Sequence, residues 1–184
     1  MELVKELNYK KRDWRRDVGI ITASFGLVLV SVDIWFQEFT TIPWWRILPV
    51  FVAVFVLHEL AHGILFKIWT GKVEFGAGMT KFGPVFYAAS PGCRLPRNRI
   101  IVVALAPQIL SLLFFVLAYL PFIDEIHNML IVAGVMNLSG GVGDFYSILQ
   151  MLRYSKELQV EDSPTGMKFY MPEGGINENP EPIS

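Results

Sequence analysis

The sequence predicts an all-α membrane protein with about four transmembrane helices and a short cytoplasmic β-hairpin between the second and third helices. Composition is the first observation behind this prediction. The 184-residue chain is 53% hydrophobic and 18% charged, with a mean hydropathy of +0.42, whereas a soluble domain of this size carries more charge. The second observation is a set of apolar segments long enough to cross a bilayer. A single cysteine, Cys93, excludes an internal disulfide framework, and the length leaves room for one membrane domain.

The chain begins with a polar flank, residues 1–17, that is rich in charges of both signs. We expect a solvated basic flank that helps to set the membrane topology; a short amphipathic helix on the membrane surface is the alternative. Residues 18–36 form the first apolar segment. It is longer than the hydrophobic region of a signal peptide and lacks a small-residue cleavage pattern, so it predicts a retained transmembrane helix.

The second predicted helix covers residues 44–69 and is followed by a loop, residues 71–99, of mixed strand and turn character. Within this loop, residues 72–75 and 85–88 have the composition of strands and are separated by glycines and a proline. Runs of this kind, bounded by turn residues, indicate a β-hairpin at the membrane surface.

The third predicted span, residues 100–122, contains Pro107, which removes a backbone hydrogen bond and is expected to kink the helix. The fourth predicted span covers residues 128–152, so the membrane domain as a whole covers residues 18–153.

The tail, residues 154–184, is polar and acidic. Its last dozen residues are expected to be disordered. Residues 167–171 have a composition that allows a strand against the hairpin.

The positive charges determine the predicted orientation. Of the 16 Lys and Arg residues, only Arg46 falls in a turn on the far side of the membrane. Cytoplasmic segments are enriched in Lys and Arg, so both termini and the hairpin are predicted to be cytoplasmic in a multi-pass protein of the cell membrane.

The second helix carries the motif H-E-x-x-H, formed by His58, Glu59 and His62. Positions i and i+4 share one face of an α-helix, so the two imidazoles can bind one metal ion. Glu59 lies about 100° round the same helix, within reach of a water bound to that metal. Two neutral imidazoles suit Zn²⁺, and an open position for water is what a hydrolytic zinc site needs.

A chance match and a pair of structural core histidines are the alternatives to a metal site. Charged groups near the bilayer centre cost about 2.5–3.5 kcal/mol each, so they are rare there unless they are functional. Packing explains poorly why three ionisable residues fall within five positions at metal-ligand spacing, and the sequence therefore favours a metal site.

A catalytic zinc usually has three protein ligands and a water. By the predicted topology His127 lies at the outer membrane boundary, whereas His62 lies about 24–27 Å below the outer end of its helix. Asp144 lies about 24 Å below the outer start of the fourth span, at matching depth. The sequence therefore favours Asp144 over His127 as the third ligand; a capping or water-facing acid at the inner interface is the alternative.

Asn137, Gly140, Gly141 and Asp144 share one face of the fourth predicted helix. Glycines on such a face allow a close approach, either by a substrate backbone or by another helix in a plain packing seam. The hypothesis for Asn137 is that its amide binds an unwound substrate backbone.

An H-E-x-x-H motif in one span, followed by Asn137 and Asp144 in a later span, resembles the site-2 protease clan of intramembrane zinc metalloproteases. In that clan, two such helices assemble the metal site within the bilayer. A closer similarity is to a family of small multi-pass proteins described as putative zincin peptidases, a domain of unknown function. That similarity covers about residues 58–170 and rests on H-E-L-x-H-G, a Gly/aromatic loop ending in Pro-Arg, Ala104-Leu105-Ala106-Pro107, Asn137 and Gly143-Asp144.

The chain departs from the site-2 protease pattern in its later span. Gly140 stands where those enzymes have a proline, and Gly143-Asp144-Phe145 stands where they have Leu-Asp-Gly. The resemblance implies zinc as the cofactor, with His58, His62 and Asp144 as its ligands and Glu59 as the catalytic residue.

The predicted function is that of an integral membrane zinc metalloprotease that hydrolyses peptide bonds of membrane-associated or transmembrane substrates. The alternative is a non-catalytic metal-binding membrane scaffold or chaperone derived from such a protease, and the intact Glu59 argues against it. A metal or proton carrier is a third interpretation, weakened by the lack of a visible repeat. The expected partners are a membrane protein or peptide substrate and the lipid bilayer, with no nucleic acid.

Overall fold

The structure of the chain, a computed structural model, describes residues 1–8, 19, 23, 43–80, 83–120 and 126–173. Within these residues, four helices accompany six β-strands arranged in two sheets. The prediction of an all-α fold is therefore wrong. One sheet is assembled from strands far apart in the chain, and strands of three to seven residues carry too little periodicity to be recognised without their partners.

Helix α1 covers Trp44–Thr70, α2 covers Arg97–Ala118, α3 covers His127–Gly140 and α4 covers Val142–Met151. In the described part of the chain, three helical stretches are long and apolar enough to cross a membrane: α1, α2, and α3 with α4 taken together. They correspond to the second, third and fourth predicted spans. The first predicted span, residues 18–36, lies outside the described residues apart from positions 19 and 23.

Gly141 separates α3 from α4, where the sequence predicts one continuous span. Its N–H donates to the carbonyl of Asn137 at 3.1 Å and closes the last turn of α3. A Cβ at this position would overlap the amide of Gln108 on α2, so a larger residue here would displace that side chain. The break places Asp144 in the first turn of α4.

The chain forms two compact units. The first consists of Met1–Arg12, His62–Leu105 and Asp144–Ser184, and the second consists of Asp13–Ala61 and Ala106–Gly143. Helices α1 and α2 each contribute residues to both units, because a unit boundary falls within each of them.

A four-stranded antiparallel sheet in the first unit has the order β1–β6–β5–β4. Its strands are β1 (Glu2–Asn8), β4 (Arg94–Pro96), β5 (Gln159–Ser163) and β6 (Gly166–Met171). Part of the amino-terminal flank, expected as a solvated segment or a surface helix, thus forms an edge strand. Strand β6 contains the strand considered at 167–171, but its neighbours are β1 and β5 and not the hairpin.

The hydrophobic core of the first unit combines side chains from this sheet and from three helices. Phe66 of α1, Ile100 of α2 and Met151 of α4 pack in one cluster with Leu158 and Phe169. Burial of this apolar surface is the dominant free-energy term that holds the helix ends on the sheet. The cluster therefore positions the parts of α1, α2 and α4 that belong to this unit.

Strands β2 (Glu74–Thr80) and β3 (Gly83–Ala89) form the second sheet, which is the hairpin predicted between the second and third spans. The ring of Phe75 lies directly on Gly63 of α1, where any side chain would overlap it. Glycine at position 63 therefore lets β2 approach the helix one residue after His62.

The second unit has a smaller cluster in which Ala118, Ile131 and Val135 pack with Phe115 and Leu130. Gly134 faces the ring of Phe115, and a Cβ there would overlap it. Glycine at a helix–helix contact lets two backbones approach closely, so this seam packs α2 against α3.

Leu158→Ala is expected to lower the free energy of unfolding by about 2–5 kcal/mol, because its side chain is 0% exposed and the substitution leaves a cavity. Leu152→Ala is the matched control, since Leu152 is 53% exposed and its truncation is expected to cost under about 1 kcal/mol. Thermal unfolding in detergent, followed by circular dichroism, measures both. Equal effects of the two substitutions would contradict the assignment of Leu158 to the core.

Candidate metal centre

Helix α1 supplies two ligand candidates. His58 and His62 lie one turn apart on this continuous helix, and both are buried. Their spacing brings them to one face, as the sequence predicts. Glu59, the predicted catalytic residue, follows His58 and is half-buried.

Asp144 lies next to His62. The Nε2 atom of His62 is 3.4 Å from Oδ2 of Asp144. Asp144 stands in the first turn of α4, where the helix dipole stabilises a carboxylate. Its position at this point depends on the break at Gly141, which starts a new helix just before it.

Ligand atoms of His58, His62 and Asp144 all lie within 4.8 Å of one another. Two imidazoles and one carboxylate are a donor set found at catalytic zinc sites, which leave the fourth coordination position for water or substrate. The group contains the third residue that the sequence favours, Asp144, and does not contain His127.

The other nitrogen of each imidazole is hydrogen-bonded to an oxygen. The Nδ1 atom of His58 is 3.0 Å from Oδ1 of Asn137, and the Nδ1 atom of His62 is 2.9 Å from the carbonyl oxygen of Val103. Carbonyl oxygens only accept, so each Nδ1 carries the proton and donates it. In the neutral imidazole, each Nε2 then offers a lone pair, which is the form in which a histidine binds a metal. The residues present therefore fit zinc.

Asn137, the predicted substrate-binding residue, is 1% exposed. Its Nδ2 group donates to the carbonyl oxygen of Pro107 at 2.6 Å and to Oγ of Ser111 at 2.7 Å. Its contacts are thus with His58 and α2, and substrate binding by Asn137 stays a prediction. Sequence reasoning missed these partners; the available signal was a proline and a serine four positions apart in an apolar span.

His127 lies at the start of α3. Its Nδ1 atom donates to the carbonyl oxygen of Ala118 at 2.6 Å, and its ring meets that of Tyr119 edge to face. These contacts join α3 to the end of α2.

A family model described as "Putative zincin peptidase" matches residues 51–158, more than half of the chain. The chain belongs to this family. The family description implies a zinc-dependent metallopeptidase, and the group of His58, His62 and Asp144 agrees with zinc as its metal. No curated protein and no solved structure gives a significant match to the chain.

Metal analysis of the purified protein is expected to find about one zinc per chain, as a single three-ligand site requires. His62→Ala and Asp144→Ala are each expected to lose most of this zinc, because each removes one of three ligands. His127→Ala is the matched control and is expected to retain the zinc, since the imidazole of His127 hydrogen-bonds the carbonyl oxygen of Ala118 and is not one of the three ligands. Full zinc content in Asp144→Ala would contradict the three-ligand site.

Proposed function

We propose that this protein is an integral membrane zinc metallopeptidase, similar to site-2 proteases, that hydrolyses peptide bonds of membrane-associated or transmembrane substrates. The observation that carries the proposal is that both histidines and Glu59 lie on α1. This helix is long and apolar enough to cross a membrane. A metal site built on such a helix is suited to substrates that are themselves within or near the bilayer.

The chemistry follows from the side chains. Bound zinc would polarise a scissile carbonyl and acidify a water molecule. The carboxylate of Glu59 accepts the proton that the attacking water releases and delivers it to the nitrogen of the departing amine. His58, His62 and Asp144 would hold the metal, since their ligand atoms lie within 4.8 Å of one another. A scaffold that only binds metal has no need of Glu59.

The four-stranded sheet supports a topology with both termini on one side of the membrane. Strands β1, β4 and β5–β6 come from before, between and after the spans, and pairing in one sheet requires them on the same side. Two crossings separate β4 from β5, namely α2 and α3 with α4. Between β1 and β4, α1 makes one crossing, and the span predicted at residues 18–36 would make the other. The Lys and Arg distribution assigns this side to the cytoplasm.

The hairpin is a candidate for substrate alignment. A peptide must be extended to be cut, and an extended peptide can add to the edge of a sheet through backbone hydrogen bonds. Because Phe75 lies on Gly63, strand β2 runs beside the helix segment that carries His62. A substrate strand added to this hairpin would lie near the metal ligands.

Glu59→Gln is expected to keep the zinc content of the wild type and to lower cleavage by about 10²–10⁴-fold, because the amide cannot accept the proton of the water. Cleavage is measured with a fluorescein-labelled unfolded protein in detergent, before and after removal of zinc by a chelator. Glu157→Gln, at an exposed site, is the matched control and is expected to be fully active. Retained cleavage in Glu59→Gln would contradict the mechanism.

Phe75→Ala is expected to lower kcat/KM by about tenfold to a hundredfold at unchanged zinc content, since a substrate strand held about 1 Å out of place reacts much more slowly. Phe86→Ala is the matched control: both rings are about half exposed, at 54% and 51%, but Phe86 belongs to β3. The same fluorescent substrate measures both variants. Equal rates in the two variants would exclude the proposed contact as the means of alignment.

A further inference from the structure

Both histidines of the metal centre are oriented by oxygen atoms that depend on a single residue of α2, Pro107. One oxygen is the carbonyl of Val103, four residues before the proline. The other is the amide oxygen of Asn137, whose own amide group is held by the carbonyl of Pro107.

The carbonyl of Val103 is available to His62 because of the proline. In an α-helix, the carbonyl of residue 103 accepts a hydrogen bond from the N–H of residue 107. Proline has no N–H, so this bond cannot form within α2, which contains Pro107 in its interior. Val103 is buried in an apolar helix, where an unsatisfied carbonyl is costly. The imidazole of His62 supplies the donor at 2.9 Å.

The amide of Asn137 can face His58 in only one way. Its Nδ2 group donates to the carbonyl of Pro107 and contacts the hydroxyl of Ser111. If the amide were reversed, its oxygen would face the carbonyl oxygen of Pro107, and two acceptors would meet. The amide oxygen therefore points to His58, and the Nδ1 atom of His58 has to carry the proton.

We propose that Pro107 and Asn137 are positioning residues of the metal centre: together they hold His58 and His62 in the tautomer with Nδ1 protonated, so that both present Nε2 to the metal. In this proposal Asn137, the predicted substrate-binding residue, acts on a metal ligand through its hydrogen bond to His58. This inference rests on the metal centre and does not depend on peptide hydrolysis.

Metal affinity tests the proposal directly. Co²⁺ titration of the detergent-purified, metal-free protein, followed by its visible absorption and by competition with Zn²⁺, gives the dissociation constant. Pro107→Ala and Asn137→Leu are each expected to weaken binding by about 10–100-fold, the effect typical of removing an oxygen that orients a metal-bound histidine. Ser111→Ala, which removes one of the two atoms holding Asn137, is expected to cause a smaller loss in the same direction.

Two control variants separate positioning from general effects on the fold. Pro49→Ala removes a proline from α1, where Pro49 is exposed, and Asn128→Leu removes a half-buried asparagine from α3. Both are expected to keep wild-type affinity. Pro107→Ala also favours helix formation, so its affinity is expected to fall while its melting temperature does not.

Nitrogen-15 NMR of the histidines gives a readout that a merely structural role would not change. The chain has three histidines, so the signals can be assigned by substituting each in turn. In metal-free wild type, His58 and His62 are expected to be protonated on Nδ1. Asn137→Leu is expected to shift His58 to the Nε2-protonated tautomer, and Pro107→Ala to shift His62.

The outcomes are distinguishable. Wild-type affinity in both Pro107→Ala and Asn137→Leu, with unchanged tautomers, would overturn this proposal and leave the metal centre intact. A wild-type protein that binds neither Co²⁺ nor Zn²⁺ would overturn the metal centre itself, and with it the proposal. Loss of affinity and a changed tautomer in a variant that keeps its fold would support the proposal, whatever the outcome of the cleavage assay.

Discussion

Buried polar groups in apolar helices have to find partners within the protein, and the metal centre is built from this constraint. An unsatisfied donor or acceptor in hydrocarbon costs several kcal/mol, since water cannot replace the missing partner. His58, His62, Ser111 and Asn137 are all buried, and each contacts a nitrogen or oxygen of another residue. The bonds that satisfy these groups also fix their orientation. Stability and preorganisation of the ligands therefore have the same physical origin.

Hydrogen bonds beside the four-stranded sheet join helices that contribute to the metal centre. Arg97, the first residue of α2, donates two hydrogen bonds to the backbone of the carboxy-terminal segment. Its N–H donates to the carbonyl of Leu158 at 2.8 Å, and its guanidinium donates to the carbonyl of Tyr154. The start of α2 and the segment after α4 are thereby joined at the edge of the sheet. Val103 and Asp144, the two residues that contact His62, lie on the helices joined in this way.

The errors of the sequence-based predictions share one cause. Strand β4 has only three residues, and the seven residues of β1 lack a marked alternation of polar and apolar side chains. Each is a strand because it pairs with the carboxy-terminal segment. The side-chain partners of Asn137 could not be identified from the sequence for the same reason, and substrate binding by Asn137 stays a prediction. A polar residue in an apolar span indicates a function, but whether it contacts substrate or a ligand depends on which residue of another helix faces it. His58 and Ser111 face it, and both are distant in the chain.

The sequence by itself determined the features that follow from local periodicity and composition: apolar helices of spanning length, a hairpin between glycines, and two histidines on one helical face with Glu59 beside them. The placement of the two histidines follows from helical geometry, because 3.6 residues per turn bring positions 58 and 62 to one face wherever the helix lies. Only the tertiary structure decided that β1 joins the tail in a sheet, and that Val103 and Asn137 hold the two imidazoles. Those contacts depend on which backbone atoms lack a hydrogen-bond partner within their helix and on which side chains pack against them. Pro107 predicts that the carbonyl of Val103 has no partner within α2, but the sequence does not predict that His62 will be the donor.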